Sequence, residues 1–449
     1  MSAVNPVRYP DTGSEPLMTK RAWWLVGINI LIPGSAQVVA GNRRLGRFGL
    51  VATLILWTLI VIGIVMLFVA RGTLVTFLTS SLGLWIVFAA LIFYATLWVI
   101  LTIDTVRMVR LVRTAPKARG PVAVLATVAL LATAGTASYG AVSTFSAIGV
   151  LDSVFGGGNV AEPIDGRYNI LLLGGDAGDD RVGLRPDSIS VVSIEADTGA
   201  ATIFGIPRNL QRAPFSEGSP LYGPFPNGYD CGVDCLVSYL YTYGEEHPEL
   251  YPSAPLNGST SGIEATRDAV EGVLGMEIQY YALIDLQGFE QMIDALGGIT
   301  LNVPERVAIG ANSFDDGTPA EPIGYIEAGE QRMSGATALW YARTRYGTTD
   351  YQRMDRQRQV QEALVAQFDP ATVVLRFNQV ASAGKEVVAT DIPQGMLSRF
   401  VDIAAKTRTQ PIESVDFVPP EFDVIYPDYE AIHAKVDEEL VLSTETAEQ

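Results

Sequence analysis

Arginines are concentrated in one short stretch of this 449-residue chain. A planar guanidinium group pairs with phosphate oxygens through two parallel hydrogen bonds, so several of them together suit a ligand with more than one phosphate. The concentration therefore predicts a phosphate-binding cluster. The five arginines between positions 343 and 358 are Arg343, Arg345, Arg353, Arg356 and Arg358.

The spacing within this stretch divides it into two parts. Arg343 and Arg345 stand two residues apart, which places both side chains on the same side of an extended segment. Arg353, Arg356 and Gln357 follow the spacing of one helical face. The alternative is a solvated basic face that pairs with acids of the same stretch, and spacing alone does not decide between the two. Those acids are Asp350, Asp355 and Glu362.

Acids and arginines also stand at the ends of predicted strands further upstream. Asp176 follows a buried-strand pattern that ends in two glycines. Arg185 and Asp187 enter the next strand, and Arg208 follows a third. Carboxylates at strand ends suit a hard cation such as Mg²⁺, which commonly bridges one or two carboxylates to substrate phosphates. Each feature is weak alone, because acids and glycines are common in turns.

Strands and helices alternate in the part of the chain that carries these residues. Short apolar runs are typical of buried strands, and Asp197-Thr198-Gly199 predicts a hairpin between two of them. Capping signals at Ser261 and Asp285 predict two helices. This alternation indicates an α/β/α sandwich around a central mixed sheet. The predicted strands are 168–173, 189–194, 201–206 and 299–303.

Cys231 and Cys235 are the only cysteines. Their spacing can satisfy disulfide geometry in a helical turn or a loop, whereas two thiols cannot complete a zinc site unaided. We predict a structural disulfide in an extracytoplasmic setting, with a pair of buried free thiols as the alternative. Only two histidines are present, His247 and His433, which leaves little room for a histidine-rich metal site.

Charge divides the chain into two unlike parts. Residues 1–150 contain 12 Lys and Arg and three acids, whereas the remainder contains 19 Lys and Arg and 46 acids. A basic apolar segment followed by an acidic globular one indicates a membrane anchor joined to a water-soluble domain. The acidic part would repel a phosphate backbone, which argues against nucleic acid as a partner.

Three stretches of the basic part are long and apolar enough to cross a hydrocarbon core of about 30 Å. Arginines before the first and between the second and third predict that these links face the cytoplasm, which places the acidic domain outside the cell membrane. An earlier apolar stretch is interrupted by Pro33 and Gly34, which predicts either a re-entrant segment or a fourth span. The three stretches are 48–70, 82–103 and 121–139, and the interrupted one is 22–40.

These patterns predict five regions along the chain. They are a cytoplasmic tail (1–21), a membrane region with three or four transmembrane helices (22–140), a Gly- and Ser-rich linker (141–166), a domain that carries the candidate residues (167–367) and a C-terminal extension of that domain with a disordered tail (368–449).

Taken in order, the candidate residues resemble the LytR-CpsA-Psr family. The resemblance runs from about 167 to 367, and the N-terminal part with Pro33-Gly34-Ser35-Ala36-Gln37 resembles an actinobacterial, multi-span variant. The motifs that carry it are Asn169-Ile170-Leu171-Leu172-Leu173-Gly174, Gly175-Asp176, Arg185-x-Asp187-Ser188, Ile206-Pro207-Arg208, Gly329-x-x-x-Met333-x-Gly335-x-x-Ala338-Leu339-x-Tyr341-Ala342-Arg343-x-Arg345, and Asp350-Tyr351-x-Arg353-x-x-Arg356-Gln357.

The resemblance implies a membrane-anchored phosphotransferase. Its donor is a glycopolymer on an undecaprenyl-pyrophosphate carrier, its acceptor is peptidoglycan, and its product is a phosphodiester. The resemblance also implies that Asp176 and Asp187 hold Mg²⁺ or Mn²⁺ or position the acceptor, and that Gln357 contacts the phosphate near the lipid. The arginines implied to clamp the pyrophosphate are Arg185, Arg208, Arg343, Arg345, Arg353 and Arg356.

Three positions depart from the family pattern. Gly178 stands where the family often has Arg, Pro186 where it has Ser or Thr, and Asn209 where it has Asp. The change at Asn209 removes one candidate base or metal ligand. Two alternatives therefore stay open: a non-catalytic module that binds polyprenyl or polysaccharide phosphates and regulates wall assembly, and a pyrophosphate hydrolase in which water replaces the sugar acceptor.

Overall fold

The computed structural model describes residues 7–70, 73–74, 77–78, 80–155, 158–176, 185–310, 321–367 and 388–447. Its contacts divide the chain into an N-terminal unit, Met1–Gly149, and a C-terminal unit, Val150–Gln449. The division falls close to the point where charge and hydropathy change along the sequence, so each unit corresponds to one of the two predicted parts.

The N-terminal unit is helical. Three of its helical segments are long and apolar enough to cross a membrane, Arg43–Val69, Ser81–Arg113 and Pro116–Gly149, and each overlaps one of the three predicted stretches. The unit can therefore serve as a membrane anchor. Its helices are α1 (Glu15–Leu31), α2 (Ser35–Ala40), α3 (Arg43–Val69), α4 (Ser81–Val109), α5 (Pro116–Leu130) and α6 (Thr136–Val154), with a π-helical turn at Leu131–Gly135 between the last two.

The interrupted stretch 22–40 forms two helices with a sharp turn between them. Gly34 adopts a φ of 96°, and a Cβ there would lie 2.7 Å from the backbone nitrogen of Leu50. Ala22, Leu25 and Ala36 are fully buried against other helices of the same unit. The turn is therefore held by close packing that only glycine permits. The choice between a re-entrant segment and a fourth span stays a prediction.

The C-terminal unit is built on a six-stranded mixed sheet with the strand order β10-β3-β2-β1-β4-β9. β1 pairs antiparallel with β2 and parallel with β4, while β2 and β3 form the predicted hairpin. The sheet confirms the α/β class. Its strands are β1 (Arg167–Asp176), β2 (Arg185–Glu195), β3 (Ala201–Ile206), β4 (Tyr280–Asp285), β9 (Val388–Thr390) and β10 (Ile412–Asp416).

Two further antiparallel pairs and a set of helices surround this sheet. The Asp285 side chain caps its helix as predicted, by accepting a hydrogen bond of 2.7 Å from the backbone nitrogen of Gly288. The pairs are β5 (Ile299–Val303) with β8 (Gly329–Met333) and β6 (Val307–Ile309) with β7 (Gly324–Ile326). The helices are α7 (Leu240–Glu246), α8 (Ser261–Leu274), α9 (Leu286–Leu296), α10 (Gly335–Arg343), α11 (Asp350–Gln367), α12 (Leu397–Thr407) and α13 (Tyr429–Ala447).

Helices cover both faces of the sheet. Leu171 and Leu173 of β1 belong to a buried cluster that includes α8 and α13, whereas Tyr168 and Ile170 of the same strand pack with Ile403 of α12. Successive side chains of a strand point to opposite faces, so the two clusters lie on opposite sides. This arrangement is the predicted α/β/α sandwich.

Two predicted boundaries are corrected by the structure. The predicted linker 141–166 begins as helix, because α6 continues to Val154. The predicted disordered tail is also helical through Ala447. The prediction followed the polar composition of this segment. Ile432 and Val436 are nevertheless buried in the main core and attach α13 to the sheet. Because β9 and β10 complete the same sheet, residues 388–447 are an integral part of the domain that was predicted to end at 367.

Candidate functional site

The strand register brings the predicted strand-end residues to one edge of the sheet. Asp176 at the end of β1 is the partner of Arg185 at the start of β2, and Ile206 at the end of β3 is the partner of Ile189. Because β2 is antiparallel to both neighbours, its beginning meets their ends. The side chains of Asp176 and Arg185 lie outside the described part of the structure, so only their backbone positions are established.

Two carboxylates and three guanidinium groups meet at this edge. Arg208, just after β3, bridges the two acids: its Nη1 lies 2.6 Å from Asp187 Oδ1 and its Nε 3.1 Å from Asp350 Oδ2. Arg345 makes a looser bridge, with Nη2 3.7 Å from Asp187 Oδ2 and Nε 3.6 Å from Asp350 Oδ1. Arg353 Nη2 donates to Asp350 Oδ2 at 3.2 Å and to the backbone oxygen of Asp187 at 3.3 Å. These five residues are called the arginine–aspartate cluster below.

The electrostatics of the cluster favour the charged forms of Asp350 and Arg208. Burial disfavours ionised Asp350, but the charges of Arg353, Arg208 and Arg345 outweigh it and hold the pKa of Asp350 below its usual value. Burial also acts against Arg208, yet its hydrogen bond to Asp187 and the charges of Asp187 and Asp350 raise its pKa. The pKa of Arg353 is lowered, first by burial and then by the neighbouring arginines. With three cations and two anions, the cluster has a surplus of positive charge that suits an anionic ligand.

Arg353 has donor capacity that the described residues do not use. Its side chain is 3% exposed, and its Nε has no hydrogen-bond partner among those residues. Leaving a buried charged donor unsatisfied costs free energy. The role of Arg353 in binding phosphate stays a prediction, and its Nη2 contacts Asp187 and Asp350.

Arg356 is placed differently from the prediction. It is buried, and its Nε donates to the backbone oxygen of Tyr341 at 2.8 Å while its Nη2 donates to the backbone oxygen of Thr344 and, at 3.4 Å, to Thr348 Oγ1. These acceptors belong to α10 and to the turn that leads into α11. Arg356 therefore positions the turn that carries Arg345, and we revise its predicted direct contact with pyrophosphate to this positioning role.

The predicted extended segment around Arg343 is also corrected. Residues Gly335–Arg343 are helical, and extended backbone begins only at Thr344. The helix is stabilised by the Ser334 cap and by burial of Tyr341, which local arginine spacing does not reveal. Arg343 is exposed at the end of α10, so the structure does not place it on one side of a strand with Arg345.

A small pocket adjoins the cluster on the α11 side of the sheet. Gln357 contributes to its wall and also donates from Nε2 to the backbone oxygen of Ala342 at 3.2 Å. Gln361 Nε2 donates to Ser190 Oγ at 3.0 Å, and Arg358 forms a buried ion pair with Asp416 at the end of β10. The pocket is lined by Asp187, Ser188, Ile189, Ser190, Gly205, Ile206, Arg208, Met354, Gln357, Arg358, Gln361 and Asp416.

Several residues of the site were not recognised as such in the sequence. Asp350 appeared there as a possible partner in a solvated basic face and as a residue of a family motif without an assigned role, whereas three arginines of the cluster pair with it. Asp416 lies in a region without any recognisable motif, and Gln361 and Ser190 are ordinary residues of a helix and a strand. A signal existed only for Asp350, which follows Arg345 closely and opens the helix that carries Arg353.

The departures from the family pattern are distributed unevenly over the site. Gly178 lies outside the described residues. Pro186 continues β2 opposite Gly175. Asn209 follows Arg208, and its Oδ1 is buried without a hydrogen-bond partner in the described part of the chain. A carboxylate at this position would add a negative charge directly after Arg208, which the amide does not supply.

The described acids limit how a divalent cation could bind. No group of three or more Asp, Glu, His or Cys side chains with metal-ligand geometry occurs within the described ranges. Asp187 and Asp350 are the acids of the cluster, and arginines approach both oxygens of each. Mg²⁺ usually takes only one or two carboxylates and completes its shell with water and substrate phosphates. Asp187 could supply one such carboxylate.

The two cysteines lie in a loop of the same unit. Cys231 and Cys235 are joined by a disulfide with Cα atoms 5.3 Å apart. Cys235 is buried in the main core, while Cys231 is exposed. The bridge therefore attaches an exposed loop to the core.

Comparison with known proteins identifies relatives of the C-terminal unit. The model of the LytR-CpsA-Psr family matches residues 157–427, more than half of the chain. The polyisoprenyl-teichoic acid–peptidoglycan teichoic acid transferase TagV of Bacillus subtilis is 31% identical over 138 residues, which cover 30% of this chain and 34% of TagV. The corresponding transferase TagU of Oceanobacillus iheyensis is 26% identical over 243 residues, 54% of this chain and 63% of TagU. The regulatory protein MsrR of Staphylococcus aureus is 33% identical over 134 residues, 29% of this chain and 38% of MsrR.

The chain thus spans between about a third and two thirds of the length of these relatives. Among solved structures, Bacillus subtilis TagV has a TM-score of 0.43 at 22% identity, covering 61% of this chain and 97% of TagV. TagT bound to LI-WTA has a TM-score of 0.41 at 18% identity, covering 64% of this chain and 93% of TagT.

Proposed function

The chain belongs to the LytR-CpsA-Psr family, and from this we propose that it transfers a glycopolymer from an undecaprenyl-pyrophosphate carrier to peptidoglycan and leaves a phosphodiester link. The observation that carries the proposal is the arginine–aspartate cluster at the sheet edge. Three guanidinium groups converge there with a surplus of positive charge, as a pyrophosphate requires. The names of the relatives TagV and TagU describe a reaction of the same class.

In the proposed reaction, an acceptor sugar hydroxyl attacks the phosphorus that carries the glycopolymer. A new oxygen–phosphorus bond forms, and the bond from that phosphorus to the oxygen of the lipid phosphate breaks. The electron pair leaves with the lipid monophosphate, while the hydroxyl proton passes to a carboxylate. Arg208, Arg345 and Arg353 bind the phosphates and stabilise the charge that develops on the leaving group.

Asp187 is the described carboxylate best placed for the proton or for a cation. It lies at the pocket wall, 22% exposed, and its oxygens are paired with Arg208 and Arg345. A bound pyrophosphate competes for both arginines, which would release Asp187 toward the acceptor. Magnesium, when bound, would supply additional charge neutralisation on the phosphates, and Asp187 and Asp176, which stand at adjoining ends of β2 and β1, would hold it.

The direct test is reconstitution of the full chain in detergent with a lipid-linked glycan, Mg²⁺ and peptidoglycan. The proposal requires covalently linked polymer together with lipid monophosphate. Release of polymer phosphate into solution without linkage would instead support the hydrolase. Tight binding of the lipid-linked glycan without turnover would support the regulatory module. The amide at Asn209 and the relative named as a regulatory protein favour that alternative.

Asp187→Asn is expected to suppress transfer, because it removes the carboxylate proposed to accept the proton or to hold the cation. Donor affinity should stay within a few-fold, because the arginines that bind the phosphates remain. If Asp187 holds the cation, raising Mg²⁺ restores part of the rate, since the weakened site then fills by mass action. The measurement is a titration of transfer rate against Mg²⁺ for both proteins. Equal apparent metal affinities would exclude Asp187 as a ligand. A lower melting temperature without metal rescue would mean that it supports Arg208 instead.

We also propose that the C-terminal unit is extracytoplasmic and that the helices of the N-terminal unit cross the membrane several times, with the arginine-rich links inside. The resemblance of this unit to an actinobacterial, multi-span type stays a prediction. In intact cells, a membrane-impermeant thiol reagent is expected to label a Leu256→Cys variant, whose site is 86% exposed in the C-terminal unit. Val112→Cys, 80% exposed in the arginine-rich link, should be labelled only after the membrane is opened. Labelling of Val112→Cys in intact cells would mean that the arginine-rich link faces outward and that the proposed topology is wrong.

A further inference from the structure

An exposed tyrosine lies beside an ion pair on the surface of the C-terminal unit. Tyr426 is 67% exposed, and the guanidinium carbon of Arg212 lies 4.5 Å from the centre of its ring. Arg212 also pairs with Asp230, with 3.6 Å between Nη1 and Oδ2. Ile425, next to the tyrosine, is 47% exposed. These four residues are called the Tyr426 patch below.

Three chain segments are fixed in place to form this patch. Arg212 has a left-handed φ of 56°, a conformation that costs free energy for a residue with a side chain. The residues on both sides of it are held in place. Gln211 forms an isolated β-bridge with Leu236, and its backbone oxygen accepts a hydrogen bond from the Tyr429 hydroxyl, while Ala213 forms a β-bridge with Tyr229. The backbone around Arg212 is therefore held in a strained state by its surroundings.

The other two segments are held by separate devices. Asp423 Oδ1 accepts hydrogen bonds from the backbone nitrogens of Ile425 and Tyr426, at 2.7 and 3.1 Å, which fixes the turn that presents the tyrosine. The disulfide begins directly after Asp230 and closes its loop. The strained backbone at Arg212 thus keeps its guanidinium group against an exposed ring, and backbone strain held in place by its surroundings is typical of binding sites.

The chemistry of the patch points to a sugar. A pyranose ring has an apolar face of C–H groups that stacks on an aromatic ring, and hydroxyls at its rim that hydrogen-bond to carboxylate and guanidinium groups. The patch offers each of these. Its single cation is paired with Asp230, so it lacks the surplus positive charge that a polyphosphate needs.

The patch is also close to the arginine–aspartate cluster. Arg212 follows Arg208 by four residues, which limits their Cα separation to about 14 Å even in a fully extended chain. The segment after the Asp230 loop returns to the same place, since the backbone nitrogen of Ser238 donates to the backbone oxygen of Arg208 at 3.2 Å. A polysaccharide strand of a few sugars can therefore reach from the patch to the reacting phosphate.

We propose that the Tyr426 patch binds the sugar rings of the acceptor glycan strand and holds that strand beside the cluster. The inference rests on the proposed transferase function, but binding of the glycan can be measured without turnover. Tyr426 supplies the stacking surface, while Arg212 and Asp230 hydrogen-bond to hydroxyl groups.

The test measures binding of soluble peptidoglycan glycan strands, freed of stem peptides, to the full chain in detergent. Tyr426→Ala should weaken this binding by about tenfold, and Tyr426→Phe should retain it because the ring remains. Arg212→Gly, which tolerates the left-handed backbone, should also weaken it. Tyr325→Ala is the control: the guanidinium carbon of Arg306, whose backbone is not left-handed, lies 3.7 Å from this ring centre, and loss of the ring should leave strand binding unchanged.

The outcomes separate this inference from the proposed function. Loss of strand binding in Tyr426→Ala, with unchanged melting temperature and unchanged binding of undecaprenyl pyrophosphate, supports the patch whether or not transfer is observed. Equal strand binding by wild type and Tyr426→Ala overturns it, even if the wild type transfers polymer. Binding of free stem peptides rather than glycan strands, lost in Tyr426→Ala, would also overturn it, because the patch would then recognise peptide.

Discussion

Replacing Arg208 with alanine is expected to lower the rate of polymer transfer by about 100-fold or more, since removal of one donor aimed at developing charge commonly costs that much. Arg208 is the only described side chain that approaches both acids of the cluster within 3.1 Å. Its loss removes a guanidinium group that we propose to bind phosphate and also leaves Asp187 and Asp350 with more distant partners. The measurement is transfer at saturating donor together with donor affinity.

Arg208→Lys separates charge from geometry. A lysine keeps the positive charge but cannot bridge two carboxylates with a planar fork, so its rate should lie between those of wild type and Arg208→Ala. Arg306→Ala serves as the control. The side chain of this arginine is 55% exposed, and its Nε pairs with Glu327 Oε1 at 2.9 Å rather than with an acid of the cluster. Equal rates for Arg208→Ala and Arg306→Ala would mean that the cluster does not serve the reaction.

Local sequence patterns predicted the framework that positions Arg208. The apolar runs before and after Asp197-Thr198-Gly199 form the hairpin of β2 and β3, as their alternation and turn residues indicate. The Asp285 cap is likewise a short-range feature and is confirmed. Such elements are predictable because the interactions that fix them lie within a few residues of one another.

The cluster itself was predicted only in part. Arginine concentration pointed to Arg345 and Arg353, and the family motifs pointed to Asp187 and Arg208. The central position of Asp350 was missed because its contact with Arg208 joins residues 142 positions apart, a relation set by how α11 lies at the sheet edge. Arg356 was assigned to the ligand because spacing along a helix shows which residues share a face and not what that face contacts.

The C-terminal segment was missed for a different reason. The Glu- and Thr-rich sequence after position 437 has the composition of disordered segments. Burial of Ile432 and Val436 just before it, and the contact of Arg167 with Thr444 at 3.3 Å, anchor the helix instead. A few buried contacts can order a polar helix, and composition averages them away.

Removing Asp416 is expected to destabilise the C-terminal unit by about 3 kcal/mol, because it leaves a buried arginine without its partner. Arg358 is 8% exposed, its Nε already lacks a hydrogen-bond partner among the described residues, and burial lowers its pKa. The sequence counted Arg358 among the concentrated arginines but did not place it on the helical face of Arg353 and Arg356. The structure instead makes the pair with Asp416 the joint between α11 and β10.

Thermal and urea unfolding of the full chain in detergent, followed by a fluorescent probe in the C-terminal unit, measure this effect. Asp416→Ala and Arg358→Ala should both shift the transition, whereas Glu327→Ala, which breaks the exposed pair with Arg306, should change stability by less than about 0.5 kcal/mol.

Replacing both members with apolar residues of similar size, Arg358→Met with Asp416→Leu, should recover much of the loss, because no unpaired charge then remains buried. If the double variant is as unstable as the single ones, the pair stabilises through specific hydrogen bonding at the pocket wall, and charge burial is the wrong explanation. If Asp416→Ala matches the Glu327→Ala control, the pair does not join the helix to the sheet.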